Sequence, residues 1–475
     1  MIPFFIKGFK LIRSARGNLN LIYDSITHSL YSVDRLVFEI FKDYLKQDNS
    51  ENIYTNYSGK ADFKKIKNIL KEINFILSTS NIIANKGINT FNFIKDRCLK
   101  SGKFTLMVSQ DCNLRCKYCY GGESGRYKTS GERMSREVAI KSIDLLLKYA
   151  RNAKHYHLGF FGGEPMTNFE LIKEIIDYCE HVEKKFEKRF TFSMTTNGTL
   201  LTEENVKYLR TKNVGIMISV DGPAHIHNEN RIYRNGKGSY QDTMKGLEIL
   251  KKYQKTIIVR ATVTKEYFEK LEEIIKFFDS IGVTRVLFAT VSGYEGINPE
   301  YKLKINDYRI ANHNMLRMFK RILNEIMEGR DPLFLPFIAI MQKIHSKGKS
   351  ILGCGIFRGS SSISADGKLY PCHRFVGLKG FEFGDVWNGI DINQLKKICD
   401  SLDEATEECN YCWAKYLCAR SCVREIAKES GYFTSFRKGY CDLIRKTIEK
   451  ILVFYTLLKE KKPEILEKWS NQGRI

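Results

Sequence analysis

A chain of 475 residues is too long for one ordinary hydrophobic core, so two or three domains are expected. Hydrophobic residues make up 43%, yet no run of about 18 apolar residues exists to cross a bilayer, which excludes a transmembrane helix and fits a cytoplasmic enzyme-sized protein. The formal charge of +23 suits attraction to nucleic acid or to an acidic peptide, and equally a solvated basic surface.

The start, Met1 to Lys10, carries a short apolar patch, Pro3 to Ile6, without the long apolar core and cleavage site of a signal peptide. In that setting thirteen cysteines argue for reduced thiols and metal rather than disulfides. Asn20 to Asp24 and Leu30 to Val33 are expected as paired strands. Asp34 then caps a helix to about Leu45, with Leu36, Val37, Ile40 and Phe41 on one face. Gln47 to Lys60 reads as a polar loop, and a second helix over Asp62 to Phe75 presents Phe63, Ile66, Ile69, Leu70 and Ile73. Strands followed by helices suggest a small winged-helix-like module over residues 1–95.

From Phe104 onward short apolar runs alternate with amphipathic helices, the α/β pattern of a parallel sheet. Strands are expected near Phe104 to Val108, His157 to Phe161, Phe190 to Thr195, Val214 to Val220, Thr256 to Val263 and Thr284 to Ala289. Between them, Leu171, Ile172, Ile175 and Ile176 give a helix on which Cys179 is a small core residue, while Cys98 and Cys399 stay unassigned.

The first strand leads into Asp111 to Glu123, where Cys112, Cys116 and Cys119 are spaced C-x3-C-x2-C with Tyr118 before the last. Three thiolates on one short loop can hold three irons of a cubane cluster and leave the fourth iron open; zinc is the competing reading. The second strand ends in Gly162-Gly163-Glu164-Pro165, whose glycines permit close backbone approach to a ligand. Thr195, Thr196, Asn197 and Gly198 follow the third strand as a polar lip suited to ribose hydroxyls. Ser219, Asp221 and Gly222 follow the fourth, and then Arg231, a fixed positive charge. In parallel barrels chemistry gathers at these C-terminal strand ends.

The loop and the ordered strand-end motifs resemble the radical S-adenosylmethionine (SAM) superfamily. The resemblance implies a partial (β/α)6 TIM-like barrel over residues 96–295, and SAM chelated to the open iron of a [4Fe-4S] cluster and cleaved to a 5'-deoxyadenosyl radical. It further implies that the backbone of the Gly162 to Pro165 motif meets the SAM amino group, and Arg231 is placed to pair with the SAM carboxylate. The N-terminal module is similar to the element that captures a leader peptide as an added strand in peptide-modifying members.

Residues 296–350 form a connector with one long amphipathic helix carrying Met315, Met318, Phe319, Ile322, Leu323 and Ile326 on its apolar face. Beyond it, Cys354, Cys372, Cys409, Cys412, Cys418, Cys422 and Cys441 include the run C-x2-C-x5-C-x3-C. This pattern, over residues 351–450, resembles the SPASM extension, which houses auxiliary iron-sulfur clusters. The resemblance implies one cluster on Cys409, Cys412, Cys418 and Cys441 and another on Cys354, Cys372 and Cys422, making three [4Fe-4S] clusters in all. Seven thiolates are one short of two full sets, so either a distant residue completes the second cluster or it keeps an open iron. Residues 451–475 continue a helix to about Leu458, and Pro463 interrupts a polar tail.

The expected activity is that of a peptide maturase: a precursor with a leader and a cysteine-containing core, a thioether formed on that core, and electrons from a flavodoxin or ferredoxin. A sulfatase maturase is the rival within the class, but there an acidic residue follows the second SPASM cysteine, where this chain has His373. His373 is either a base, with a pKa near working pH, or a residue that merely flanks the cluster. Quinoprotein-subunit cross-linking and carbon-carbon bond formation use the same architecture, and RNA binding is the reading from another class.

Overall fold

The computed structural model describes residues 9–471 apart from 14–18, 48–49, 84–88, 96, 99, 122–132, 292–298, 332, 334–335, 360 and 437. The apolar patch at Pro3 to Ile6 and the end of the first cysteine loop lie outside the described residues.

Strands β1 (Phe9–Arg13), β2 (Asn20–Asp24) and β3 (Ser29–Val33) form an antiparallel sheet in the order β1-β2-β3. β1 is not among the expected strands, because Lys10 and Arg13 break the apolar signal that β2 carries. β2 is buried on both faces: Ile22 joins a small core with Phe38, Phe41 and Ile69, whereas Leu21 and Tyr23 join the main core. Helices α1 (Arg35–Gln47), α2 (Ser50–Tyr57) and α3 (Phe63–Ile83) cover the sheet. Asp34 accepts from the Val37 amide at 2.8 Å and starts α1. The expected loop over Gln47 to Lys60 therefore contains a helix, and the next helix runs past Phe75. Phe63, placed on the buried face by its period, is 64% exposed and stacks on Tyr54 instead.

After α4 (Thr90–Ile94) come β4 (Lys103–Ser109), α5 (Arg136–Tyr149), β5 (His155–Gly162), α6 (Phe169–Phe186), β6 (Arg189–Thr196), α7 (Glu203–Thr211), β7 (Val214–Ser219), α8 (Ala224–Asn230), α9 (Tyr240–Tyr253), β8 (Ile258–Val263), α10 (Leu271–Ser280) and β9 (Arg285–Thr290). β4 to β9 pair in parallel in chain order, so each strand delivers its C-terminal end to one rim. Cys179 is fully buried on α6 among Leu171, Ile172, Ile175 and Ile176.

α11 (Ile305–Met327) and α12 (Pro336–His345) then lead to β10 (Ser362–Ile363) and β11 (Leu369–Tyr370). β10 pairs in parallel with β4, through Ser362 opposite Thr105, and extends the barrel sheet to eight strands in the order β11-β10-β4-β5-β6-β7-β8-β9. The cysteine-rich C-terminal part is thus continuous with the barrel sheet. Short strands Gly384–Asp385 and Gly389–Ile390, α13 (Ile392–Ala405), α14 (Lys415–Cys418) and α15 (Lys438–Lys461) complete it. Pro463 does not interrupt a tail. It opens α16 (Pro463–Asn471), as the missing amide of proline permits at a first helical position.

Candidate active site at the strand ends

A cavity of about 440 Å³ opens at the C-terminal rim of the barrel strands, and all three front cysteines line it. The loop after β4 is tied down by backbone bonds from Arg115 to Ile232 (2.7 Å) and from Lys117 to Asn230 (2.9 Å). Arg234 holds Asp111 at 2.7 Å from outside. The three thiols are electrostatic neighbours, and those of Cys112 and Cys116 are desolvated. Burial drives Cys116 up to about 12, with Arg231 opposing and Cys119 and Asp221 adding to the rise. Burial, then Glu164 and Cys116, raises Cys112 as well. Neighbouring buried thiols of this kind ionise only beside a strong positive charge, such as a metal cluster.

Gly162 and Gly163 line the cavity because only glycine fits there. At Gly162, with φ +150°, a Cβ would lie 1.9 Å from the Ser109 carbonyl, and at Gly163 it would lie 2.4 Å from the Asp111 carbonyl. The end of β5 therefore nests against the start of the cysteine loop. Glu164 turns away from the cavity. It is fully buried and accepts from Thr196 Oγ1 (2.7 Å) and the amides of Asn197 (2.7 Å) and Met166 (3.1 Å), bracing β5 to β6. Burial pushes its carboxyl up to about 7 against those three bonds. Pro165 starts the short turn behind it.

Thr196, Asn197 and Ser219 line the cavity, and Asn197 Nδ2 donates to Asn113 Oδ1 at 2.8 Å. Asp221 lies behind the wall. It accepts from the Tyr118 hydroxyl and the Thr262 amide (2.9 Å) and pairs with Arg231 Nε (3.1 Å). Tyr118 thus sets the loop against β7 and β8, with the Arg231 guanidinium over its ring at 5.6 Å.

Tyr120, Phe161, Arg260, Thr262 and Arg374 also line the cavity, and the sequence motifs do not point to them. β8 alternates, with Val259, Ala261 and Val263 buried in the core and Arg260 and Thr262 on the other face. An arginine inside an apolar strand is the available signal. His373 reaches the same cavity, its ring 4.5 Å from Phe161. Burial, reinforced by Arg260 and Arg374, lowers it to about 3, so the imidazole is neutral and weakly basic.

Behind His373 the remaining cysteines fall into two sets. Burial and the neighbouring Cys354 and Cys422 raise Cys372. Arg374 donates from Nη1 to Cys422 Sγ at 2.8 Å and pairs with Glu425 at 3.3 Å. Cys418 is raised to about 12 by burial and then by Cys412, Cys409 and Cys441. Among the described residues no three such side chains converge on one point at metal-ligand distance. The thiol groupings and the glycine cradle nevertheless fit cluster binding. Cys98 and Cys399 are buried, and Cys98 is among the groups that raise Cys399.

The model of the radical SAM superfamily matches residues 106–278, the stretch from β4 to α10 that builds most of this cavity. Residues 106–278 are a radical SAM domain, the domain of a superfamily of enzymes that use SAM and a [4Fe-4S] cluster. It is 26% identical over 463 residues to the radical SAM cyclopropyl synthase TigE of Paramaledivibacter caminithermalis, covering 94% of this chain and 92% of that protein. It is 24% identical over 363 residues to a cysteine-type anaerobic sulfatase-maturating enzyme of Clostridium novyi, covering 72% of this chain and 93% of that one. Its fold is similar to the solved structure of native anSMEcpe with bound AdoMet, at TM-score 0.62 and 22% identity, covering 78% of this chain and 100% of that chain. No helix among the described residues is long and apolar enough to cross a membrane.

Proposed function

We propose that the chain is a radical SAM peptide maturase that closes a new bond within a ribosomal precursor peptide. The observation that carries this reading is the single cavity shared by the front cysteine loop and by His373 and Arg374, which adjoin the rear thiols. A substrate there would lie between the two cysteine systems. When bound, SAM and a front cluster on Cys112, Cys116 and Cys119 would supply a carbon-centred radical, and auxiliary clusters on the rear cysteines would take up the electron released at ring closure. The chain's own residues do the positioning. Gly162 and Gly163 bring backbone close to SAM, Thr196 and Asn197 face its ribose, and Arg231, steadied by Asp221, stands near its carboxylate.

In this reading residues 1–95 recognise the leader, with β3, one of the sheet's two edge strands among the described residues, taking an added strand. Residues 96–295 hold SAM, 296–350 connect, 351–450 hold the auxiliary clusters and 451–475 close the chain. A flavodoxin or ferredoxin would supply the electron that starts the reaction.

Two outcomes fit. One is the thioether to a cysteine of the core peptide. The other is a carbon-carbon ring, favoured by the likeness to TigE, which extends over 94% of this chain. A precursor gene adjacent to this one, co-expressed with it, separates them. Both outcomes remove two hydrogens per bond, but only the thioether makes a cysteine resistant to iodoacetamide. An unmodified precursor, together with no 5'-deoxyadenosine from the reduced, reconstituted protein, overturns the reading.

A further inference from the structure

The cavity's arginines differ in what neutralises them. Arg115 is near Asp111 at 3.9 Å, Arg231 pairs with Asp221 at 3.1 Å, and Arg374 pairs with Glu425 at 3.3 Å. Arg260 has no carboxylate and no hydrogen-bond acceptor on its side chain among the described residues, although it lines the same cavity. Its charged neighbours are Arg374 and Arg231, and burial together with Arg374 weakens its hold on its proton. A guanidinium partly withdrawn from water beside two others is costly unless something anionic joins it.

The position of Arg260 says which ligand that is. Arg231 stands beside Cys116 and Tyr118, at the end of the cavity where SAM is expected. Arg260 stands between that end and the rear cysteines: Arg374, Tyr120 and His373 are its neighbours on one side, and Arg231 and Tyr118 on the other. The net charge of +23 favours an acidic partner over the whole surface.

We infer that Arg260, with Arg374 beside it, recognises a carboxylate of the peptide substrate. That carboxylate is an Asp or Glu side chain or the C-terminal carboxylate, held next to the carbon that is attacked. The inference rests on the maturase reading and adds a substrate class to it: peptides acidic at the reacting segment. Arg260 is a specificity residue, because its guanidinium fork matches a carboxylate and it moves no proton.

The test uses cluster-loaded, SAM-bound full-length protein and three fluorescein-labelled pentapeptides. One is Gly-Gly-Asp-Gly-Gly amide, one is its Asn counterpart with an amide end, and one is the Asn peptide with a free C-terminus. Fluorescence anisotropy is expected to show at least one acid-bearing peptide binding about tenfold tighter than the neutral one. That preference disappears in Arg260→Gln and returns in part in Arg260→Lys, while SAM affinity stays within about twofold. Which acidic peptide gains identifies a side-chain or a terminal carboxylate. Equal binding, or none, of all three peptides to the wild-type protein overturns the inference. So does a tenfold loss of SAM affinity in Arg260→Gln, which would give the arginine to SAM. Iron content and circular dichroism matching wild type confirm that the variants fold. Because binding is read rather than turnover, failure here leaves the maturase reading standing, and an unmodified precursor leaves the carboxylate site standing.

Discussion

The two cysteine systems are built in opposite ways. The front three sit on one loop, launched from β4 and buttressed by the ends of β5, β6 and β7, so a regular sheet fixes where the thiols point. The rear seven come from segments scattered between Cys354 and Cys441, joined by turns, two-residue strands, short helices and the 14-residue α13. Between Cys418 and Cys422 the backbone passes through three consecutive left-handed residues, Ala419 (φ 48°), Arg420 (φ 58°) and Ser421 (φ 47°). None is glycine, and each such residue costs roughly 1–2 kcal/mol. The front site is therefore shaped by the fold, whereas the rear depends on local ties and on whatever its thiols bind.

The sharpest way to break this comparison is to remove one cysteine from each system. Cys116→Ala is expected to abolish 5'-deoxyadenosine formation, a fall of at least about 1000-fold, because no second residue on the loop can take its place. Cys418→Ala should lower iron content yet leave SAM cleavage without peptide measurable. If both variants lose SAM cleavage equally, the systems are not separable as described. Chelating the iron should then loosen the rear selectively. Amides of residues 407–426 are expected to exchange at least about tenfold faster, with those of β5 to β7 unchanged, since in the proposed maturase metal held by the rear thiols contributes folding energy that the sheet does not need.

A smaller effect concerns the ties that hold the left-handed turn. Arg420 is buried, pairs with Asp403 at 2.9 Å and donates to Thr90 Oγ1, joining the segment before the barrel to the rear. Arg420→Ala leaves the Asp403 carboxylate short of its partner and should cost about 3 kcal/mol in chemical denaturation. Adding Asp403→Ala should recover part of it. A double variant whose loss equals the sum of the two single losses would show that the pair carries no coupling.

The same contrast governs what was legible in the sequence. β4 to β9 announced themselves because each is a long apolar run followed by an amphipathic helix, and the motifs after them are short, local and ordered. β10 and β11 did not, because two-residue strands have no period to read and exist by pairing, β10 with β4 and β11 with β10. Type and spacing brought Glu164 and Asp221 to the right neighbourhood, but their direction is set by tertiary partners. Both turn into the protein, where they accept hydrogen bonds. Arg260 went unremarked for the converse reason: a charge inside an apolar strand carries no motif, and only closure of the sheet shows which way it faces.

The smallest effect separates the hairpin that joins the N-terminal sheet to the rear from the front wall. His28, between β2 and β3, is buried against Tyr23 and Tyr416, and burial, then Lys349, lowers its imidazole to about 4. His227, behind Arg231, is buried too and also lies at about 4, chiefly through burial. In the unfolded chain each histidine takes a proton near 6.5. The folded protein resists that proton until about 4, so protonation favours unfolding, and stability is full above 6.5 and falls between 6.5 and 4. From pH 7.5 to 5.5 each residue should withdraw roughly 1.4 kcal/mol. His28→Asn keeps a residue that tolerates the left-handed φ of 57° but removes the titration. Urea titrations at the two pH values should show the acid-induced loss shrinking by about that amount in the variant. An unchanged pH dependence would mean that the His28 imidazole is already solvated in the folded hairpin, and that this junction opens more readily than the front wall behind Arg231.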